Sequence, residues 1–208
     1  SSAEIPATQI EKIPPQLRYL MNFYEDSLQL TPSPLKSTTL GTPIVPALLD
    51  QHGIKLNQYN HPEVGGSYTG CMATAFTQIL LFHQAEQGKP IKGYDSHCYT
   101  HDVYGELCAD FENTVYDNPE ILSYHMAIAM DMNFTPEASS PKNYPDLNIY
   151  NKYFHHFVAN GINEEFYIKN ELNNRRPLYA GLTGLPIGHA VVIDGYDDRG
   201  YLHLNFGW

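Results

Sequence analysis

The sequence predicts an α+β fold. Helical apolar spacing governs most of the chain, and an alternating pattern broken by a turn closes it; helices first and antiparallel strands last is the α+β order. The 208 residues are 42% hydrophobic and 17% charged, a globular balance in a chain long enough to bury a core without staples.

The elements follow in order. Pro14-Pro15 opens a helix over Pro15 to Leu28, with Leu17, Leu20, Met21, Tyr24 and Leu28 at helical spacing. Thr31-Pro32-Ser33-Pro34 stops it, and Ser37 to Thr42 is a small, polar, exposed linker. From Pro43 the pattern is globular. A central helix begins near Cys71, with Met72, Phe76, Ile79, Leu80 and His83 on one face, Thr69 as the expected N-cap and Gly88 with Pro90 as the stop. Its middle is apolar nearly all round, which predicts burial. Residues 92–118 read as polar and irregular. Further helices are expected at Pro119 to Met132, Asn148 to Asn160 and Ile168 to Asn173, and a strand at Pro177 to Leu182. His189 to Tyr196 and Tyr201 to Phe206 flank Asp197-Asp198-Arg199-Gly200 as a β-hairpin.

Composition narrows the function. Twenty-three acidic residues against 12 basic ones give a net charge of −11, and no basic run exists to attract a nucleic-acid backbone. No apolar stretch approaches a membrane span, and the sequence from Ser1 shows no signal peptide, so any secretory signal is expected to have been removed already. No partner from either class is expected. The cysteines number three, so at least one is unpaired within the chain.

Cys71 opens the central helix, where the partial positive charge of a helix N-terminus lowers a thiol pKa and favours the nucleophilic thiolate. A lone cysteine is more often a small buried hydrophobe, so position alone does not make it catalytic. Among ten histidines, His189 follows Gly188 and begins an apolar strand that could hold a base rigidly. Asn205, on the next strand, could orient the imidazole as the third member of a Cys-His-Asn triad. Strand alternation constrains this. Across a simple Asp197–Gly200 loop, His189 and Asn205 point to opposite faces; an odd loop, or one bulge near Gly195 or Gly200, restores the same face.

The motifs Leu48-Leu49-Asp50, Gly53-Ile54, Asn57-Gln58, Thr69-Gly70-Cys71-Met72-Ala73-Thr74-Ala75 with Gln78-Ile79, Met132-Asn133-Phe134-Thr135-Pro136, Gly188-His189-Ala190-Val191-Val192-Ile193-Asp194-Gly195, and Asn205-Phe206-Gly207-Trp208 together resemble the streptopain family of cysteine peptidases over residues 42–208. The resemblance implies a papain-like fold, a nucleophile-bearing helix packed on an antiparallel sheet or barrel. It implies Cys71 as nucleophile, His189 as general base and acid, Asn205 as its orienter, and Gln58 with the Cys71 N–H as the oxyanion hole. No metal or cofactor is required. Residues 1–41 resemble the end of the family's propeptide, which blocks the cleft until it is cut. The expected function is a secreted cysteine endopeptidase made as a zymogen, with protein or peptide substrates and its own propeptide, or a propeptide-like inhibitor, as partner. A non-catalytic homologue that binds peptides or a partner, and acyl transfer to an amine, are the alternatives. The family usually has Trp where Phe206 stands, and its domain continues past Trp208 with more sheet, so those last strands are expected to be missing here or supplied by another chain.

Cys98 and Cys108 remain. With His97 and His101 they offer a zinc set, but at a spacing unusual for structural zinc. A disulfide, two free thiols and zinc stand in that order of expectation, the first suiting an oxidising compartment.

Overall fold

The most apolar segment of the sequence becomes the centre of the molecule. The computed structural model describes residues 41–88, 96–111, 118–136, 138–142, 164–182 and 188–207, all within one compact unit, Gly41–Gly207. Helix α1 spans Cys71–Gln87, and Ala73 to Leu80, Phe82 and Gln84 are buried along it. It is flanked on two sides. Against one side pack Leu107, Phe111, Leu122, Ile128, Met132 and Phe134, in contact with Phe76 and Leu80. Against the other pack Leu48, Leu49, Leu172, Ala190, Val192 and Ile193, in contact with Ala75, Ile79 and Phe82. Removing a buried Phe or Leu here costs about 3–5 kcal/mol, because a two-sided site collapses poorly.

The helix ends differ in how well they were foreseen. Gly88 takes the left-handed conformation (φ +65°) and its N–H bonds the Ala85 and Gln84 carbonyls, as its position suggested. The N-cap is Gly70 rather than Thr69. Gly70 has φ +92°, and a Cβ there would collide with Met132 Cε. The Thr69 hydroxyl instead accepts from Ser123 Oγ at 3.1 Å, tying α1 to the next helix.

That helix, α2 (Pro119–Ala129), starts at Pro119 because Asn118 Oδ1 accepts from the Glu120 and Ile121 N–H groups, at 3.0 and 3.2 Å. It ends before the expected Met132. Asp131 adopts φ +50°, and Met132–Asn133 instead pairs with Ser140–Pro141. Helix α3 (Glu164–Asn173) begins four residues earlier than the periodicity suggested. The expected helices at 15–28 and 148–160, and the linker at 37–40, lie outside the described residues.

Residues 92–118 hold the largest departure. Within this stretch His97–His101 and Gly105–Ala109 form an antiparallel hairpin, and Cys98 faces Cys108 across it in a disulfide. Both thiols are consumed, which removes the zinc reading. Alternation explains why the sequence hid the hairpin. Leu107, Ala109 and His101 face inward, while Cys98, Thr100, Glu106 and Cys108 are exposed. His101 and Tyr99 anchor it as polar bodies: the Phe134 N–H is 3.1 Å from His101 Nε2, and the Tyr99 hydroxyl donates to the Met132 carbonyl.

Among the described residues the strands are, in chain order, β1 (Pro43–Val45), β2 (Asn60–His61), β3 (Ser67–Tyr68), β4 (His97–His101), β5 (Gly105–Ala109), β6 (Met132–Asn133), β7 (Ser140–Pro141), β8 (Leu178–Leu182), β9 (His189–Asp197) and β10 (Leu202–Asn205), and the main sheet is built on the long β9. Pro43–Val45 and β8 (Leu178–Leu182) pair with it along one edge, and β10 (Leu202–Asn205) along the other, all antiparallel. β9 is buried from His189 to Tyr196.

Glu86, near the end of α1, joins three segments. Arg175 grips it through Nε and Nη2 at 2.6 and 2.8 Å, and His52 Nε2 lies 2.5 Å away. The Arg175 and His52 hydrogen bonds hold its pKa near about 2, against an ordinary 4.5. A depressed carboxylate stabilises the fold above its ordinary pKa and loses that contribution as pH falls through the folded value. Glu86→Gln should therefore lower stability at neutral pH by about 0.5–1 kcal/mol and flatten the acid loss of stability, read by urea unfolding across that range. Thiol titration of the denatured, unreduced protein should find one thiol per chain, and reduction should cost about 2–3 kcal/mol.

Candidate active site

Cys71 is the first residue of α1 and is half-buried. Its Sγ accepts a hydrogen bond from the Ala190 N–H at 3.4 Å, so the peptide that follows His189 rests on the sulfur. This contact brings together two residues 118 positions apart in sequence, the expected nucleophile and the expected base. Burial pushes the thiol pKa up, outweighing the Ala190, Met72 and Cys71 N–H groups that favour the thiolate. Desolvation thus acts against the lowering that a helix start favours.

His189 is 7% exposed. Its Nε2 lies 3.1 Å from the Phe206 carbonyl oxygen. A carbonyl can only accept, so Nε2 carries the proton and Nδ1 carries the basic lone pair. The ring lies nearly parallel to Phe206, with centroids 6.0 Å apart and planes 12° apart. Phe206 therefore covers the imidazole as an aromatic shield where a Trp was the family expectation. Burial pushes the His189 pKa down, and the Phe206 carbonyl opposes this.

Asn205 reaches the imidazole through one peptide group. The hairpin carries both of the irregularities that the alternation argument offered as alternatives. Residues 197–201 lie between the pair Tyr196–Leu202, and the register then shifts at Asp194, between His203 and Leu204. The two offsets cancel, and Asn205 faces Val192, not Val191. By strand alternation it stands on the other face from His189. Its Oδ1 accepts from the Gly207 N–H at 2.9 Å. That N–H belongs to the peptide unit whose carbonyl, Phe206 O, meets His189 Nε2. One peptide group thus links Asn205 to the imidazole, polarised at both ends in the sense that strengthens each bond.

Gln58 is half-buried in the extended segment that leads to the pair of short strands Asn60–His61 and Ser67–Tyr68. The Thr69 N–H donates to the Tyr59 carbonyl at 2.8 Å, which ties the Gln58 segment beside the start of α1. Sequence reasoning missed the Phe206 carbonyl, the Gly207 N–H and the Ala190 N–H. Backbone groups carry no residue-type signal; the available clue was a glycine just past the last strand, and Gly207 indeed adopts φ +70°.

A family model described as the peptidase C10 family matches residues 53–208. The chain belongs to the peptidase C10 family. Streptopain of Streptococcus pyogenes is 27% identical to it over 230 aligned residues, which cover 84% of this chain and 57% of streptopain. The thiol protease/hemagglutinin PrtT of Porphyromonas gingivalis is 30% identical over 168 residues, 68% of this chain and 19% of that protein. The chain thus spans little more than half the length of streptopain. Among solved structures, active interpain A cysteine protease of Prevotella intermedia covers 81% of this chain and 78% of its own, at 25% identity and TM-score 0.55. The prointerpain A fragment from the same organism covers 100% of this chain and 75% of its own, at 22% identity and TM-score 0.53. The expected fold, α+β and papain-like, holds for this family member.

Desolvation of the thiol has a kinetic signature. Iodoacetamide alkylation of Cys71 should accelerate with pH through a midpoint above that of free cysteine, about 8.5, because the thiol is desolvated. A midpoint below that value would show that a thiolate–imidazolium pair forms in solution.

Proposed function

We propose that the protein is a secreted cysteine endopeptidase made as a zymogen, hydrolysing peptide bonds in protein substrates. The observation that carries this reading is the Ala190 N–H on Cys71 Sγ, with His189 held by its Nε2–H on the Phe206 carbonyl. His189 Nδ1 takes the thiol proton as Sγ attacks the peptide carbonyl carbon. The oxyanion is held by the Gln58 amide and the Cys71 N–H. The imidazolium then protonates the leaving amine as the tetrahedral intermediate collapses to a thioester. Water, deprotonated by the same imidazole, attacks the thioester; the acid leaves and the thiol is restored. Asn205 fixes the 206–207 peptide and, through it, the ring.

Two features support the wider reading. An exposed disulfide between Cys98 and Cys108 suits an oxidising compartment outside the cell. Residues 1–41 are proposed as the end of a propeptide: the family match begins at 53, and the prointerpain fragment aligns over the whole chain where active interpain aligns over 81%. The propeptide, or an inhibitor shaped like it, is the proposed partner.

Casein hydrolysis and stoichiometric alkylation test the assignment together. Cys71→Ala should abolish both while leaving the melting temperature close to wild type, since little volume changes. Gln58→Ala should lower kcat by about 100- to 1000-fold through loss of one oxyanion donor, with alkylation of Cys71 intact. Alkylation without any hydrolysis by the wild type would turn the reading to a peptide-binding homologue.

A further inference from the structure

Gln78 is fully buried on α1, and among the described residues neither atom of its side-chain amide, Oε1 or Nε2, has a hydrogen-bond partner. Leaving such a group unpaired is costly, and an apolar residue of the same shape would normally be neutral or better. An orphan of this kind in the middle of a core helix calls for a reason.

Its position supplies one. Cys71, Thr74 and Gln78 follow one another at spacings of three and four, which puts them on one stripe of α1. That stripe faces the turn after β10. Gly207 sits against it so closely that a Cβ there would lie 2.8 Å from Thr74 Cγ2 and 3.8 Å from Gln78 Nε2. Gly207 also closes the peptide unit that holds His189: its N–H is on Asn205 Oδ1, and the preceding carbonyl is on His189 Nε2. The buried amide therefore lies beside the backbone that sets the base, on the helix that carries the nucleophile. An amide offers one donor group and one acceptor, the complement of a peptide.

We propose that Gln78 is a positioning residue of the catalytic pair: its amide engages the backbone at Gly207 in the working enzyme and keeps the 206–207 carbonyl on His189 Nε2. The inference rests on the cysteine-peptidase reading above. One helix would then fix both partners, Cys71 at its first turn and His189 through the brace two turns on. Asn205 grips the same peptide from the strand side, so the orienting carbonyl is held from two elements.

The test compares Gln78→Met with Gln84→Met in the full chain. Gln84 lies on the same helix, and its Nε2 is also buried without a partner. Each swap removes a buried amide nitrogen that has no partner among the described residues, at nearly constant shape, so each should keep or raise the melting temperature. Gln84→Met should leave kcat unchanged. Gln78→Met should lower kcat by about 10- to 100-fold with KM within about twofold, as expected for a misplaced base. The acid limb of kcat/KM should also move to lower pH, because the Phe206 carbonyl bond that stabilises the imidazolium has loosened.

An unchanged kcat in Gln78→Met would overturn the proposal and make the amide a plain defect of packing. A parallel fall in melting temperature and kcat, with no movement of the acid limb, would overturn it as well and leave Gln78 a core residue. Failure of the underlying reading looks different: the wild type itself would then neither hydrolyse casein nor take up iodoacetamide at Cys71.

Discussion

The fold depends on α1 being buried on two sides at once. A surface helix can slide or tilt against its single neighbour. α1 is locked between the α2 and hairpin layer, through Phe76 and Leu80, and the β9 sheet, through Ala75, Ile79 and Phe82. Close-packed interiors transmit such constraints because side chains interdigitate without slack. The Sγ of Cys71 is therefore set relative to β9 by many apolar contacts, and the 3.4 Å contact from Ala190 reports that placement.

β9 is the second half of the frame, and its bulge has a purpose distinct from catalysis. At the register shift the Asp194 carboxylate turns inward and is fully buried. Its Oδ2 accepts from the Leu49 N–H at 3.0 Å, its Oδ1 lies 2.6 Å from His203 Nδ1, and its carbonyl accepts from the Leu48 N–H at 2.9 Å. Leu48 and Leu49 are then pinned into the core beside α1. One end of β9 thus carries His189 and lays the Ala190 N–H on Cys71 Sγ, while Asp194 further along fastens the segment that leads to Gln58. A strand with neighbours on both edges and both faces is a rigid carrier for a base.

The electrostatics of the pair follow from the same packing. A thiol at a helix start has three backbone N–H groups that favour its anion, yet burial prevails and pushes its pKa up. The same burial pushes the His189 pKa down against the pull of the Phe206 carbonyl. The Phe206 ring lies nearly parallel to His189, with centroids 6.0 Å apart.

Much of this was legible in the sequence. The apolar run after Cys71, Gly88 as its stop, the closing hairpin and the residues Cys71 and His189 all stand in local patterns that folding preserves, because helix and strand periods are properties of the backbone. The hairpin at 97–109 was hidden because its outward face is polar and its inward face holds a histidine, so residue type and burial disagree there. Gly70 as N-cap, the cancelled register offsets and the role of the Phe206 carbonyl were decided by tertiary structure. Each depends on what meets the backbone from elsewhere: Met132 against Gly70, Leu49 against Asp194, Thr74 against Gly207. Sequence determined which side chains could do chemistry; the packing of α1 against β9 decided which atoms face each other, since distances between remote segments are set by their contacts and not by local propensity.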